Sequence, residues 1–123
     1  MYTINKIFNL LTENIPERTT TTFFFPPKTE KFITIYPESL STKDTTVSSL
    51  ILKNKINVLI VNIINKKSNF LNIYNELLDV TLGEVLPLLK PFKIDDGIDV
   101  VLSNDGSNSY LGLKFSITTE ISC

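Results

Sequence analysis

The 123-residue sequence predicts one α+β domain: a mainly antiparallel sheet of four to five strands with an N-terminal and a central helix packed on it. Three observations carry that expectation. Apolar residues recur at three- and four-residue steps in two separate segments, the mark of amphipathic helices. Residues 56–64 form a charge-free, β-branched run that suits a covered strand. Turn chemistry then divides the remaining apolar stretches into short strands, giving the order α-β-β-β-α-β-β.

Taken in chain order, Ile4, Ile7, Phe8, Leu11 and Ile15 form the stripe of a helix over about 2–15, with Thr3 placed to cap it and Pro16 to stop it. Glu17 to Thr22 reads as a polar connector, followed by the apolar block Phe23-Phe24-Phe25-Pro26-Pro27. Residues 31–36 are rich in β-formers and closed by Pro37, so a strand is expected there, with Glu38 to Thr46 as a polar loop. Residues 47–53 and 56–64 flank Asn54-Lys55, a connection of hairpin length, which predicts a hairpin over about 47–64. A second helix over about 69–82 is signalled by Phe70, Tyr74, Leu77, Leu78, Thr81 and Val85 on one face. Ser68 or Asn69 is placed to cap it, and it is expected to end near Gly83 or run on raggedly to Pro87. Asp95-Asp96-Gly97 is a turn, and residues 98–121 form a C-terminal hairpin around the loop Asn104–Ser109. Ile35, Val58, Ile60, Leu77, Leu78, Val100 and Phe115 are the expected core positions.

Twelve basic and thirteen acidic residues give a net charge of −1, and Arg18 is the only arginine. Sequence-specific nucleic-acid binding, which leans on clustered Arg and Lys, is disfavoured by that balance. The single cysteine, Cys123, is the last residue of the sequence, which predicts a reducing compartment. No apolar run approaches the roughly 20 residues of a membrane helix, so a soluble protein assembled in the cytoplasm, with no membrane partner, is the expectation.

Motifs for chemistry are sparse. Histidine is absent, which removes the usual acid/base group at neutral pH and the commonest zinc ligand. Asp95, Asp96, Asp99 and Asp105 cluster in sequence and raise a metal or paired-carboxylate reading, yet their spacing matches turn chemistry better than a calcium loop. The four glycines stand too far apart to build a phosphate cradle or dinucleotide fingerprint. Phe32, Tyr36, Tyr110 and Phe115 suit a base-stacking platform only if a basic patch flanks them, and core or interface packing accounts for them without one. Neither an enzyme nor a bound cofactor or metal is expected.

The run Ile56-Asn57-Val58-Leu59-Ile60-Val61-Asn62, followed by Phe70-Leu71-Asn72-Ile73-Tyr74-Asn75-Glu76-Leu77-Leu78, resembles the middle of the tail-terminator family of long-tailed bacteriophages, often described as minor capsid or tail-completion proteins. Phe25-Pro26-Pro27, Ile33-Thr34-Ile35-Tyr36-Pro37 and Tyr110-Leu111-Gly112-Leu113-Lys114-Phe115-Ser116-Ile117 extend the likeness over nearly the whole chain. The family has no diagnostic catalytic motif, and the long polar stretch Glu38–Thr46 and the segment Pro87–Pro91 depart from its pattern. The resemblance implies a hexameric ring of identical copies in the virion, at the junction of tail and head. Such a ring ends tail-tube polymerisation, meets the head connector, and lets DNA pass non-specifically through its lumen. Phe23, Phe24, Phe25, Ile56, Val58 and Ile60 are the candidate interface residues. A head-completion or neck connector protein, or an adaptor anchored by Phe23–Phe25, remains as an alternative.

Overall fold

The structure, a computed structural model, describes residues 2–22, 30–45, 50–64, 69–95, 97–104 and 108–122. The chain runs through α1 (Thr3–Asn14), β1 (Thr19–Thr21), β2 (Lys31–Thr45), β3 (Leu50–Ile64), α2 (Phe70–Val80), a π-helical turn (Thr81–Val85), α3 (Leu86–Leu88), β4 (Asp99–Asn104) and β5 (Ser109–Ser122). The strands form one five-stranded sheet in the order β1-β2-β3-β5-β4. Every pairing is antiparallel except β1 with β2. The α+β class and the element order are as the sequence predicts.

Individual strands differ from the expectation. Asn54-Lys55 is no turn: both residues lie inside β3, with Asn54 opposite Leu40 on one side and Thr119 on the other. The antiparallel pair is instead β2 with β3, and residues 46–49 between them lie outside the described residues. Glu38 to Thr45, expected as a loop, continues β2 past Pro37. Proline lacks an N–H, so a central strand rejects it, but here β1 covers only residues 32–34 of the outer edge and a register shift follows between Pro37 and Ser39. The polar run lacks strand alternation because both of its faces meet water. The fifth strand is β1, the polar Thr19–Thr21, which has no apolar periodicity and so reads in the sequence as a connector.

One face of the sheet carries the helices. Ile33 and Ile35 of β2, Ile56, Val58 and Ile60 of β3, and Leu111, Leu113, Phe115 and Ile117 of β5 alternate onto this face. They pack against Ile7, Leu11 and Ile15 from the first helical segment, and Leu77, Val85 and Leu89 from the second. Each such fully buried aliphatic side chain contributes about 1.5–3 kcal/mol relative to exposure, so this layer is the principal source of stability. The expected core residues Ile35, Val58, Ile60, Leu77 and Phe115 are fully buried, and Leu78 is partly so. Val100 is the exception at 53 % exposed, because β4 lies at the sheet edge beyond the helical cover.

The helix ends follow local chemistry. Asn69 caps α2, its Oδ1 accepting from the backbone N–H of Leu71 at 3.0 Å and of Asn72 at 3.4 Å. Thr3 does not cap α1; it is the first helical residue, and Tyr2 precedes it without a side-chain cap. Phe70, placed on the packed face by periodicity, is 45 % exposed at the first turn of α2. Of the two endings expected for the second helix, the run past Gly83 to Pro87 is the one it takes. It widens into the π turn and continues to Leu88, one residue beyond Pro87. A helical proline removes a donor and crowds the carbonyl four residues back, and the wider turn directly before it relieves that crowding.

Candidate assembly surface

A second apolar cluster sits on the sheet face opposite the helices. Phe32, Leu59, Val61 and Tyr110 are buried there, and the Phe32 and Tyr110 rings meet edge to face with centroids 6.4 Å apart. Gly112 lies between Val61 and Val101 in the register, where a Cβ would come within 3.0 Å of Leu59 Cδ1 and 3.2 Å of the Ile60 carbonyl. A side chain at this position would need Leu59 or the β3 backbone to give by a few tenths of an ångström. Phe115 faces the helices instead, so the four aromatics considered as a stacking platform do not share one surface.

Arg18, just before β1, is buried beneath α2. Its Nη1 donates to the Val61 carbonyl at 3.1 Å and to Asn62 Oδ1 at 2.8 Å, while Nη2 lies 3.8 Å from Glu76 Oε1. Burial lowers the Arg18 pKa, opposed by the fields of Glu76, Glu17 and Glu84. The residue ties the edge of the sheet to β3 and α2. Its place is structural, which answers why the one arginine of the chain is not on the surface.

The three long strands outrun the helical layer. Beyond Pro37, Ile56 and Ile117, the strands β2, β3 and β5 continue for some six residues as a ribbon of about 20 Å, at roughly 3.3 Å per residue. Its two faces differ in character. On the helix side, Leu40 is 62 % exposed, and Leu52 and Ile121, directly paired, are half-buried. On the other side lies a charged ladder. Lys55 Nζ contacts Glu38 Oε2 at 2.9 Å, Asn57 Nδ2 donates to Glu38 Oε1 at 3.4 Å, and Ser116 Oγ donates to Asn57 Oδ1 at 2.6 Å. Those bonds hold the Glu38 carboxyl below the usual range and raise the Lys55 ammonium. Lys43 pairs with Glu120, and with Lys53, Lys93, Asp95 and Thr118 they line an open basin of about 380 Å³.

Both sheet edges are open along part of their length. β4 has no strand neighbour on its outer side among the described residues. On the opposite side, β1 pairs only with residues 32–34 of β2, and among the described residues no strand pairs with the outer edge of β2 from residue 35 onward. Along β4, Val100 and Leu102 are 53 % and 64 % exposed on the helix side. Open edges bearing apolar side chains are where sheets acquire new strands.

The expected interface residues fall elsewhere. Ile56, Val58 and Ile60 are fully buried under the helices and offer no surface, a correction that follows from strand parity: even-numbered positions of β3 face the core. Phe23, Phe24 and Phe25 lie outside the described residues. Leu40, Val100 and Leu102 are the exposed large apolar residues of the strands, with Leu52 and Ile121 half-buried, and Tyr2, Leu71 and Leu82 are comparably exposed in and beside the helical segments. The sequence signal of the strand residues was weak, a lone leucine in a polar stretch and a short alternation after Gly97.

Of the four aspartates, Asp95 and Asp99 are among the described residues, and both carboxylates raise the Lys55 pKa. Asp95 is held against β5, accepting from Thr118 Oγ1 at 2.7 Å while its N–H donates to the Ser116 carbonyl at 2.8 Å, and Asp99 is exposed on β4. Asp96 and Asp105 lie outside the described residues. Among the described residues no three Cys, Asp or Glu side chains are arranged to hold a metal ion, and no helix is long and apolar enough to cross a membrane. No protein-family model matches the sequence, and no curated protein matches it at a significant level.

Proposed function

We propose that the protein is a structural component of a bacteriophage tail: a tail terminator whose copies form a ring, end tail-tube polymerisation and join the tail to the head connector. The observation that supports this reading is the amphipathic ribbon standing clear of the helices, flanked by two open sheet edges. A small domain that met only water would gain nothing from exposing Leu40, Val100 and Leu102 on those elements. An assembly of identical copies gives each of them an apolar neighbour. The charged side of the ribbon suits a surface that remains wet, such as one lining a channel through which DNA slides.

Light scattering coupled to size exclusion, and negative-stain imaging with purified tail tubes, test the proposal. The expected result is a closed ring that sits on tube ends and halts their growth. A protein that stays monomeric and leaves tube length unchanged overturns it. A ring that binds a head connector yet ignores tubes reassigns the chain to the neck.

A further inference from the structure

We infer that the outer edge of β4 pairs antiparallel with β4 of a second copy about a two-fold axis through Val101, joining two five-stranded sheets into one continuous sheet. The contact holds whether or not the pairs go on to form a ring. Two-fold pairs close into a ring when a second contact links them.

Of the two sheet edges, β4 is the one whose backbone is regular enough to extend. It pairs with β5 without a register shift from Asp99–Lys114 to Asn104–Ser109, whereas β2 on the other side carries Pro37 and two shifts. Its sequence, Asp-Val-Val-Leu-Ser-Asn, has no proline and no lysine, the residues that blunt solitary edges. Asp99, the only charge on the strand, stands opposite Lys114 of the same copy. Among the described residues no strand lies against the outer side of β4.

Both apolar layers of the domain run out to this edge. On the helix side, Val100 and Leu102 stand opposite Leu113 and Leu111 of the main core, yet are 53 % and 64 % exposed. On the other side, Val101 packs against the cluster of Phe32, Leu59, Val61 and Tyr110. A strand that continues both layers must be apolar on both faces at consecutive positions. The Val100-Val101-Leu102 run of a second copy meets that demand, and a strand with one polar face does not.

Symmetry then fixes the register. A two-fold axis perpendicular to the sheet makes the two strands antiparallel and keeps the helices of both copies on one side. Directly opposed residues share a face, so the axis passes through a residue and not between two. With Val101 on the axis, Val100 of each copy faces Leu102 of the other, Val101 faces its own equivalent, and Asp99 faces the Ser103 hydroxyl. An axis through Leu102 would set Val100 against Asn104 and Val101 against Ser103, and one through Val100 would set Asp99 against Val101. Only the first arrangement matches apolar with apolar, and in it no like charges meet.

A charge swap in the full chain tests the contact and its register together. Val100→Lys and Leu102→Glu are prepared separately; both side chains are exposed, so each variant should fold, as circular dichroism and Tm check. A variant that fails this check is replaced by the reversed swap, Val100→Glu with Leu102→Lys. Light scattering of the parent chain is expected to give twice the 13.9 kDa chain mass, or an even multiple of it. Each variant alone should raise the dimer dissociation constant by about tenfold or more. An equimolar mixture should restore the dimer, because the introduced lysine then faces the introduced glutamate while the second Val–Leu pair stays intact. Single variants that are monomeric and remain so when mixed overturn the inference. Oligomers that neither substitution weakens overturn the contact and leave the ring reading standing. Dimers rescued by mixing that form no ring and ignore tail tubes keep the contact and overturn the ring reading. A parent chain that is monomeric at every concentration overturns both, and if Val100→Lys abolishes its capture by purified tail tubes, the edge belongs to a strand of another protein.

Discussion

Replacing Arg18 with methionine isolates what the buried guanidinium contributes to the fold. The substitution keeps a long side chain but removes the donors to the Val61 carbonyl at 3.1 Å and Asn62 Oδ1 at 2.8 Å. A buried acceptor left without its partner costs about 1–3 kcal/mol, so two acceptors set an upper limit near 6 kcal/mol. Two effects reduce it. The arginine itself is desolvated, and its Nη2 has no hydrogen-bond partner, so its removal relieves a penalty. The ion pair with Glu76 adds little, since that carboxylate is 40 % exposed and screened by water. The expected net loss is about 2–3 kcal/mol, or a Tm lowered by roughly 6–12 °C for a domain of this size. Urea unfolding followed by far-UV circular dichroism measures it, and the slope with denaturant should stay constant. Adding Asn62→Leu should recover part of the loss, because it removes one of the stranded acceptors. If Arg18→Met lies within about 0.5 kcal/mol of the parent, the account of Arg18 as the tie between β1, β3 and α2 is wrong.

Two glycine substitutions should act with opposite signs. Gly83→Ala places its methyl in open space within the helical segment and should stabilise by about 0.5–1 kcal/mol, whereas destabilisation would show that the π turn needs glycine. Gly112→Ala presses on Leu59 and the Ile60 carbonyl and should cost about 1–3 kcal/mol in the same urea assay; a neutral result would mean that β3 and β5 separate easily. The Glu84 carboxyl is pushed up, first by desolvation and then by its hydrogen bond and repulsion with Glu17. A raised folded pKa favours the folded state below the ordinary carboxyl range and loses that advantage as pH rises through the folded value. Glu84→Gln should therefore be more stable than the parent at pH 7 and equal to it near pH 3, and an unchanged difference across a Tm series in pH would refute the pairing. Glu38 has the opposite sign. Its pKa is lowered by Lys55 and Asn57, so Glu38→Gln should lose stability at neutral pH and match the parent once the carboxylate is protonated.

Patterns that depend on one element alone were legible in the sequence. The stripe Ile7-Leu11-Ile15 and the cap at Asn69 specify helices whose apolar faces are set by a fixed period, and the structure buries or uses those residues accordingly. The charge-free run over 56–64 was correctly read as a covered strand, because no other element could shelter so many β-branched side chains. Gly97, which the sequence marks together with Asp95 and Asp96, takes a positive φ of 87°. Polar residues inside strands were misread. Asn54 and the stretch after Pro37 look like turns locally, and only their pairing partners reveal otherwise.

The amino-acid sequence by itself therefore determined the class of fold, the two helices and the strand at its centre, since each follows from local periodicity and from what must be hidden from water. Tertiary structure decided which apolar residues remain outside. Ile56, Val58 and Ile60 disappear under the helices while Leu40, Val100 and Leu102 stay exposed, although both sets are equally hydrophobic in the sequence. The difference lies in the extent of the helical layer, which covers the middle of the sheet and stops short of the ribbon and β4. Coverage is a property of how elements are placed in space, and no local pattern encodes where it ends.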